Sequence, residues 1–228
     1  RQGLREPADL LAFLTTHPER VSDLIAYLTV DFSEFFRQRS VFGYLQERVL
    51  RTWPAGRPFR ALSLGCSRGQ EAYSLAILCH RTWQSAVDWY VIGLDIDGGN
   101  LRQAVQGVYS LRELRHVEAD ERTEFFEPAD SSGERYRIRA FVTRRVRFVQ
   151  GDAFRLPVAA EALDLVLLRH LLIFIQSQHH DKILAEVYRV LRPGGRLVLG
   201  NVERIPPAWA AFWVPEAPMG PVFCKRGG

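Results

Sequence analysis

Residues 62–75, LSLGCSRGQEAYSL, join an apolar run, two closely spaced glycines and a carboxylate. They read as a buried strand, a tight turn and the first turns of a helix. Gly65 and Gly69 let the backbone approach a ligand where a Cβ would block it. A second apolar run, WYVIGLDID at 89–97, ends in Asp95 and Asp97. A glycine turn after one strand and an acid at the tip of the next is the layout of a nucleotide-type cofactor site, the acid taking ribose hydroxyls. The turn is not the dinucleotide form G-x-G-x-x-G, and Glu71 enters the helix where a pyrophosphate would sit. A carboxylate there repels phosphate and suits a cation. S-adenosylmethionine carries a sulfonium and an ammonium, so the spacing favours a methyl donor over NAD. A Rossmann dehydrogenase is the weakest option on the same grounds.

The elements that must position these groups follow from periodicity. Residues 4–28 carry helical apolar spacing (Leu10, Leu11, Leu14, then Val21, Leu24, Ile25, Leu28), divided at His17-Pro18 into two short helices. Residues 34–52 read as another helix, and WPAGRP at 53–58 breaks it. From Phe59 strands and helices alternate. Strands are predicted at about 60–65 and 89–95, with helices at 69–82 and 98–106. A charged helical stretch at 110–126 precedes a turn at 128–133. The two-residue alternation of RYRIRAFVTRRVRFVQGD predicts a hairpin at about 134–149 that feeds a third strand at 145–149. ALDLVLLRHLLIF holds the fourth strand, and Ser177 is placed to cap a helix reaching Leu191, stopped by Pro193-Gly194-Gly195. RLVLGN is the fifth strand and PVFCKR a closing one. Such alternation argues for an α/β fold with a mostly parallel sheet covered on both faces, whose ligands bind at the carboxyl ends of the strands. Gly65, Asp95, Asp152 with Ala153, and Arg169 with His170 all fall at those ends.

The bulk numbers exclude several classes. At 228 residues the chain can bury one substantial core. Its 47% hydrophobic and 25% charged residues are ordinary for a soluble globular protein. No run approaches the ~18 apolar residues of a membrane span, and no signal peptide is visible. The chain begins at Arg1 and its single methionine is Met219, so it is expected to be a piece of a longer protein. Cys66, Cys79 and Cys224 have neither metal spacing nor an even count, which points to a reducing, cytoplasmic setting and to no metal site. Net charge is +4, from 30 basic and 26 acidic residues. Much of the excess is Arg135, Arg137, Arg139, Arg144, Arg145 and Arg147. They are read as the solvated side of the hairpin, with a dock for an acidic protein as the alternative and no nucleic-acid partner.

Four blocks together resemble the chemotaxis receptor methyltransferases, the CheR family. LTVDFSEFFR at 28–37 is similar to the family's Leu-Thr-x-Asn-x-Thr-x-Phe-Phe-Arg, and CSRGQEAYSLA at 66–76 to its Ser-x-Gly-Glu-Glu-x-Tyr-Ser. GLDIDGGNLRQAVQGVYS at 93–110 matches the Asp-Ile-Asp, Leu-x-x-Ala and Gly-x-Tyr positions. LRHLLIF at 168–174 stands against Arg-Asn-x-x-Ile-Tyr. The resemblance runs from about Leu10 to the end. It implies a Rossmann-like class I methyltransferase domain at 53–228 with a small β-hairpin insertion, behind a shortened helical N-terminal segment at 1–52. It also implies methyl transfer from S-adenosyl-L-methionine to glutamates of a chemoreceptor or related signalling protein, leaving S-adenosyl-L-homocysteine. In some family members the inserted subdomain docks a receptor tail.

Carried over by position, the resemblance gives Glu71 the amino group of the methionine moiety, Asp95 the ribose, and Asp152 a place near the adenine. Asp31 and Ser33 stand at cofactor-contacting positions, and Arg37 faces the methyl-transfer centre. Two departures matter: His170 replaces the family's Asn and Phe174 its substrate-side Tyr. His170 reads either as a general base or as a histidine packed near the adenine. The plainer alternatives are a macrodipole acid for Glu71, a surface or packing arginine for Arg37, a strand-end turn acid for Asp95, and a turn or capping residue for Asp97. Cys66 reads as a small packing residue, His179 and His180 as solvent-facing, and Trp209, Phe212 and Trp213 as loop packing. Other readings kept open are a methyltransferase for another protein or small-molecule acceptor, and a non-catalytic cofactor-binding module.

Overall fold

The computed structural model describes residues 7–17, 20, 33–216 and 221–227. A helix spans Pro7–Thr16. The second N-terminal helix expected near Val21–Leu28 lies outside the described residues. The strands are β1 (Phe59–Leu64), β2 (Trp89–Asp95), β3 (Val108–Ser110), β4 (Phe126–Pro128), β5 (Arg135–Ile138), β6 (Val146–Gln150), β7 (Leu163–Leu168), β8 (Leu191–Leu199), β9 (Trp213–Pro215) and β10 (Val222–Lys225). Seven of them form one sheet in the order β6-β2-β1-β7-β8-β10-β9. The β6, β2, β1, β7 and β8 neighbours pair in parallel, while β10 pairs antiparallel with both β8 and β9. The fold is therefore the α/β, mostly parallel architecture that the alternating pattern predicts.

Side chains of β1 show why these strands are almost wholly apolar. Phe59 and Ala61 enter one core with Tyr73, Ile77 and Trp83 of the helix Gln70–Trp83. Leu62 and Leu64 enter the other, with Ile183 and Val187 of the helix His180–Val190. Successive residues of a strand point to opposite faces, and both faces are covered, so the strand is apolar except where a buried polar side chain is hydrogen-bonded, as Ser63 is to Glu71. The crossover from β1 to β2 runs through the helix Gln70–Trp83 and that from β2 towards β6 begins with the helix Gly98–Gln106, which Asp97 caps by accepting from the Gly99 N–H at 2.6 Å.

Four local expectations are corrected. The alternating stretch at 134–149 is not a hairpin. β5 pairs antiparallel with β3 and β4 in a separate three-stranded sheet, whereas β6 pairs in parallel with β2. Between them Ala140–Thr143 is one helical turn that buries Val142. Of the six arginines there, Arg135, Arg137, Arg144 and Arg147 are exposed. Arg139 and Arg145 are half-buried and pair with Glu127 at 3.5 Å and Asp88 at 3.1 Å. The stretch 110–126 holds turns and then a short helix, Ala119–Phe125. The helix expected over 34–52 is confined to Arg39–Leu45 and a π-helical turn, Gln46–Leu50. Ahead of it the chain turns sharply, with Phe36 at φ 50° and Gln38 at φ 60°. Burial of Phe35 and Phe36, and donation of the Phe36 N–H to Ser74 Oγ at 2.8 Å, outweigh the helical pattern. Ser177 makes no side-chain cap; Ser177–His179 is a 3₁₀ turn, and the helix ends at Val190 with Pro193-Gly194-Gly195 already inside β8.

Candidate active site

At the tip of β1, Gly65 has φ 75°, and a Cβ there would lie 3.3 Å from the Leu171 side chain. Its N–H and that of Cys66 both donate to the Leu94 carbonyl of β2, at 2.8 and 3.0 Å, which draws the two strand ends together. Asp95 closes β2 and is 8% exposed. Its Oδ2 accepts from the Ser67 N–H at 2.7 Å and its Oδ1 from the Asp97 N–H at 2.9 Å. Burial raises its pKa, and the N–H donors oppose that rise. A carboxylate oxygen has more than one acceptor site, so Asp95 keeps capacity for ligand hydroxyls.

Glu71 lies in the first turn of the helix Gln70–Trp83. Its carboxylate accepts from Ser63 Oγ at 2.8 Å and from Arg169 Nη1 at 2.9 Å. The Glu71 side chain is 15% exposed and that of Arg169 1%. Arg169 Nη2 donates onward to the Arg37 carbonyl at 2.8 Å and to Gln38 Oε1 at 2.7 Å. One buried guanidinium thus joins the tip of β7, the helix after β1 and the arm that carries Arg37. Burial first, then the neighbouring Arg169 charge, lowers the Arg37 pKa. His170 follows with φ 60°, and its Nε2 is buried without a hydrogen-bond partner among the described residues. Burial, then Arg37 and Arg169, lowers its pKa and keeps the ring neutral at neutral pH.

Gly65, Glu71, Asp95, Arg37, Arg169 and His170 therefore collect at neighbouring strand tips and the arm beside them. Ser33 is half-buried at the start of that arm, and Asp31 lies outside the described residues. Asp152 and Ala153 stand past the tip of β6. Asp152 is exposed and accepts from the Phe154 N–H at 2.9 Å, as a turn acid does; Ala153 packs on the apolar core. Asp97 is the helix cap described above. Phe174 is 60% exposed on the loop after β7. Cys66 is buried, and Trp209, Phe212 and Trp213 pack on Tyr188. His179 and His180 are half-buried rather than solvent-facing. A ring nitrogen of His180 lies 3.0 and 2.9 Å from the Leu172 and Ile175 carbonyls, so the helix start is packed under the β7 exit.

Sequence reading missed Ser63, Gln38 and Glu203. Ser63 sits inside an apolar strand, and Gln38 is adjacent to an arginine that drew the attention. Glu203 lies at the tip of the fifth strand, where the strand-end rule points, but the residues around it form no motif.

The site fits S-adenosyl-L-methionine on its own chemistry. The glycine turn is tight enough that a Cβ would press on Leu171. Glu71, in the first turn of the helix after β1, suits an ammonium and disfavours a pyrophosphate, and Asp95 at the tip of β2 suits ribose hydroxyls. A doubly covered parallel sheet with this glycine turn and acid pair is the architecture expected of a class I S-adenosylmethionine-dependent methyltransferase fold. The CheR methyltransferase, SAM binding domain family matches residues 31–218, and the chain belongs to that family. It is 32% identical over 193 residues to "Chemotaxis protein methyltransferase 2" of Vibrio cholerae, covering 81% of this chain and 66% of that protein. A "Chemotaxis protein methyltransferase" of Listeria monocytogenes is 29% identical over 188 residues, with 81% and 70% covered. "Probable biofilm formation methyltransferase WspC" of Pseudomonas aeruginosa is 31% identical over 195 residues, with 83% and 46% covered. The chain spans only part of the length of each. No helix among the described residues is long and apolar enough to cross a membrane.

Proposed function

We propose that this chain carries the catalytic centre of a cytoplasmic methyltransferase that esterifies glutamate side chains of a chemoreceptor or related signalling protein. The methyl group comes from S-adenosyl-L-methionine, and S-adenosyl-L-homocysteine is released. The observation that carries the reading is the Arg169 cluster. It ties Glu71, the acid suited to the methionine ammonium, to the backbone of Arg37, the residue suited to an acceptor carboxylate.

In this reading Glu71 holds the amino group, Asp95 the ribose, and Asp152 with Ala153 the adenine end. Ser33 closes over the cofactor from the arm, the family resemblance gives Asp31 a cofactor contact as well, and Gly65 permits the close approach. Bound S-adenosyl-L-methionine supplies a methyl group on a positively charged sulfur. The acceptor carboxylate is ionised near neutral pH and needs no general base. The methyl would pass to one of its oxygens with sulfur keeping the C–S electron pair, so the residues around it would have no proton to move. Catalysis is then mostly positioning. Arg37 can hold one carboxylate oxygen and aim the other along the C–S axis. Neutral His170 adds a polar edge at the reacting centre without a further positive charge beside the sulfonium.

The experiment is transfer of isotope-labelled methyl from S-adenosyl-L-methionine to a cytoplasmic chemoreceptor fragment. The reading expects label that base releases as methanol and that Arg37→Ala abolishes. Label stable to base would assign another acceptor chemistry.

A further inference from the structure

Glu203 lies just past β8 and is 4% exposed. Its carboxylate takes three backbone N–H groups. Oε2 accepts from Gly200 at 2.7 Å and His170 at 2.9 Å, and Oε1 accepts from Leu172 at 2.8 Å. Among the described residues no arginine or lysine pairs with it. A carboxylate buried on N–H dipoles alone is costly to retain compared with an apolar side chain of its size. Three charge-assisted bonds from fixed amides offset that cost only if the amides hold their places.

Two of the three amides belong to the loop leaving β7. Leu171 lies between them, and its side chain packs 3.3 Å from where a Gly65 Cβ would sit. Arg169, which bonds Glu71 and the Arg37 carbonyl, immediately precedes them. His170 itself holds φ 60°, which costs a non-glycine residue energy and persists only where surrounding bonds enforce it.

We propose that Glu203 is a positioning residue for the cofactor site: by fixing the peptide groups of His170 and Leu172 it sets Leu171 against the glycine turn and keeps Arg169 in register with Glu71. It acts through the β7 exit loop and touches neither cofactor nor acceptor. The proposal rests on the methyltransferase reading of the site.

The test uses the whole chain, with calorimetric S-adenosyl-L-homocysteine affinity and thermal midpoint measured together. In Glu203→Gln one amide oxygen faces three donors, and affinity should fall about 10-fold or more. Gly200→Ala puts a Cβ 2.8 Å from Glu203 Oε2 and 2.9 Å from His170 Nδ1, so it should weaken binding in the same way. Asp164→Asn is the control. Asp164 is also buried and accepts the Arg60 N–H at 2.7 Å, but at the opposite end of β7. It should lower the midpoint and leave affinity within about twofold. Gly200→Ala decides the matter if Glu203→Gln does not fold. Affinity unchanged in the Glu203 and Gly200 variants, or lost as much in the Asp164 control, overturns the positioning role while the site reading stands. A parent chain that binds no S-adenosyl-L-homocysteine overturns the site reading and this proposal with it.

Discussion

Each end of β7 carries a buried carboxylate–arginine cluster, and the two are built differently. At the N-terminal end Asp164 accepts the Arg60 N–H at 2.7 Å, bonds Arg192, and lies 3.7 Å from Arg57. Those arginines reach solvent, and none of the three carries a buried unpaired nitrogen. At the C-terminal end Arg169 is fully enclosed. Its Nε and the His170 Nε2 are buried without hydrogen-bond partners among the described residues, and the backbone of His170 is in the left-handed region. Buried polar atoms normally find partners, and unpaired ones beside strained backbone concentrate where a ligand completes the site. The first cluster is a strut. The second is a strut with open valences, at the strand ends where a parallel sheet binds its ligands.

The comparison breaks most sharply at Arg169. Arg169→Ala removes one partner of an enclosed pair and leaves Glu71, the Arg37 carbonyl and Gln38 Oε1 without their shared donor. We expect a loss of about 3–5 kcal/mol in stability, read by denaturant unfolding, together with loss of measurable S-adenosyl-L-homocysteine binding. Asp164→Asn should cost about 1–3 kcal/mol with binding retained, which separates strut from site.

His170 sharpens the contrast through pH. Its folded pKa lies below the ordinary 6.5. Between those two values the unfolded chain holds a proton that the folded chain lacks, so stability is full above about pH 6.5 and declines as pH falls below it. His170→Asn should flatten the fall of the thermal midpoint between about pH 6.5 and pH 5; an unchanged slope would place the titration elsewhere. The smallest effect on folding belongs to Phe174, which is exposed on the loop after β7. Phe174→Ala should change stability by no more than about 0.5 kcal/mol while lowering transfer to a receptor fragment, seen in kcat/KM for the acceptor.

The centre of the sheet was legible because β1 and β7 are buried on both faces and read as near-continuous apolar runs. Each of the five parallel strands overlaps its predicted span, and the acids at their tips could be named from position alone. The inserted sheet was not legible. β3 and β4 are three residues each, and β3 pairs with β5 across a long stretch of chain that no local period reveals. The alternation at 134–149 is real, but its halves belong to two different sheets. The arm misled for a related reason: helical spacing at 34–38 yields to the burial of Phe35 and Phe36. In the site, Glu71, Asp95 and Arg37 carried a positional signal. Gln38 carried none and Glu203 only its place at a strand end, because what assigns them is bonding to distant groups, the Arg169 side chain for Gln38 and the His170 and Leu172 backbone for Glu203, rather than a neighbouring motif.

The most direct test of the strand-tip site is a calorimetric titration of the chain with S-adenosyl-L-homocysteine and S-adenosyl-L-methionine, beside Glu71→Ala and Asp95→Ala. The structure predicts binding by the parent, weakened by each substitution ~10-fold or more, on the order of 1.4 kcal/mol. Binding that neither substitution alters, or a folded parent that binds neither ligand at millimolar concentration, would contradict it.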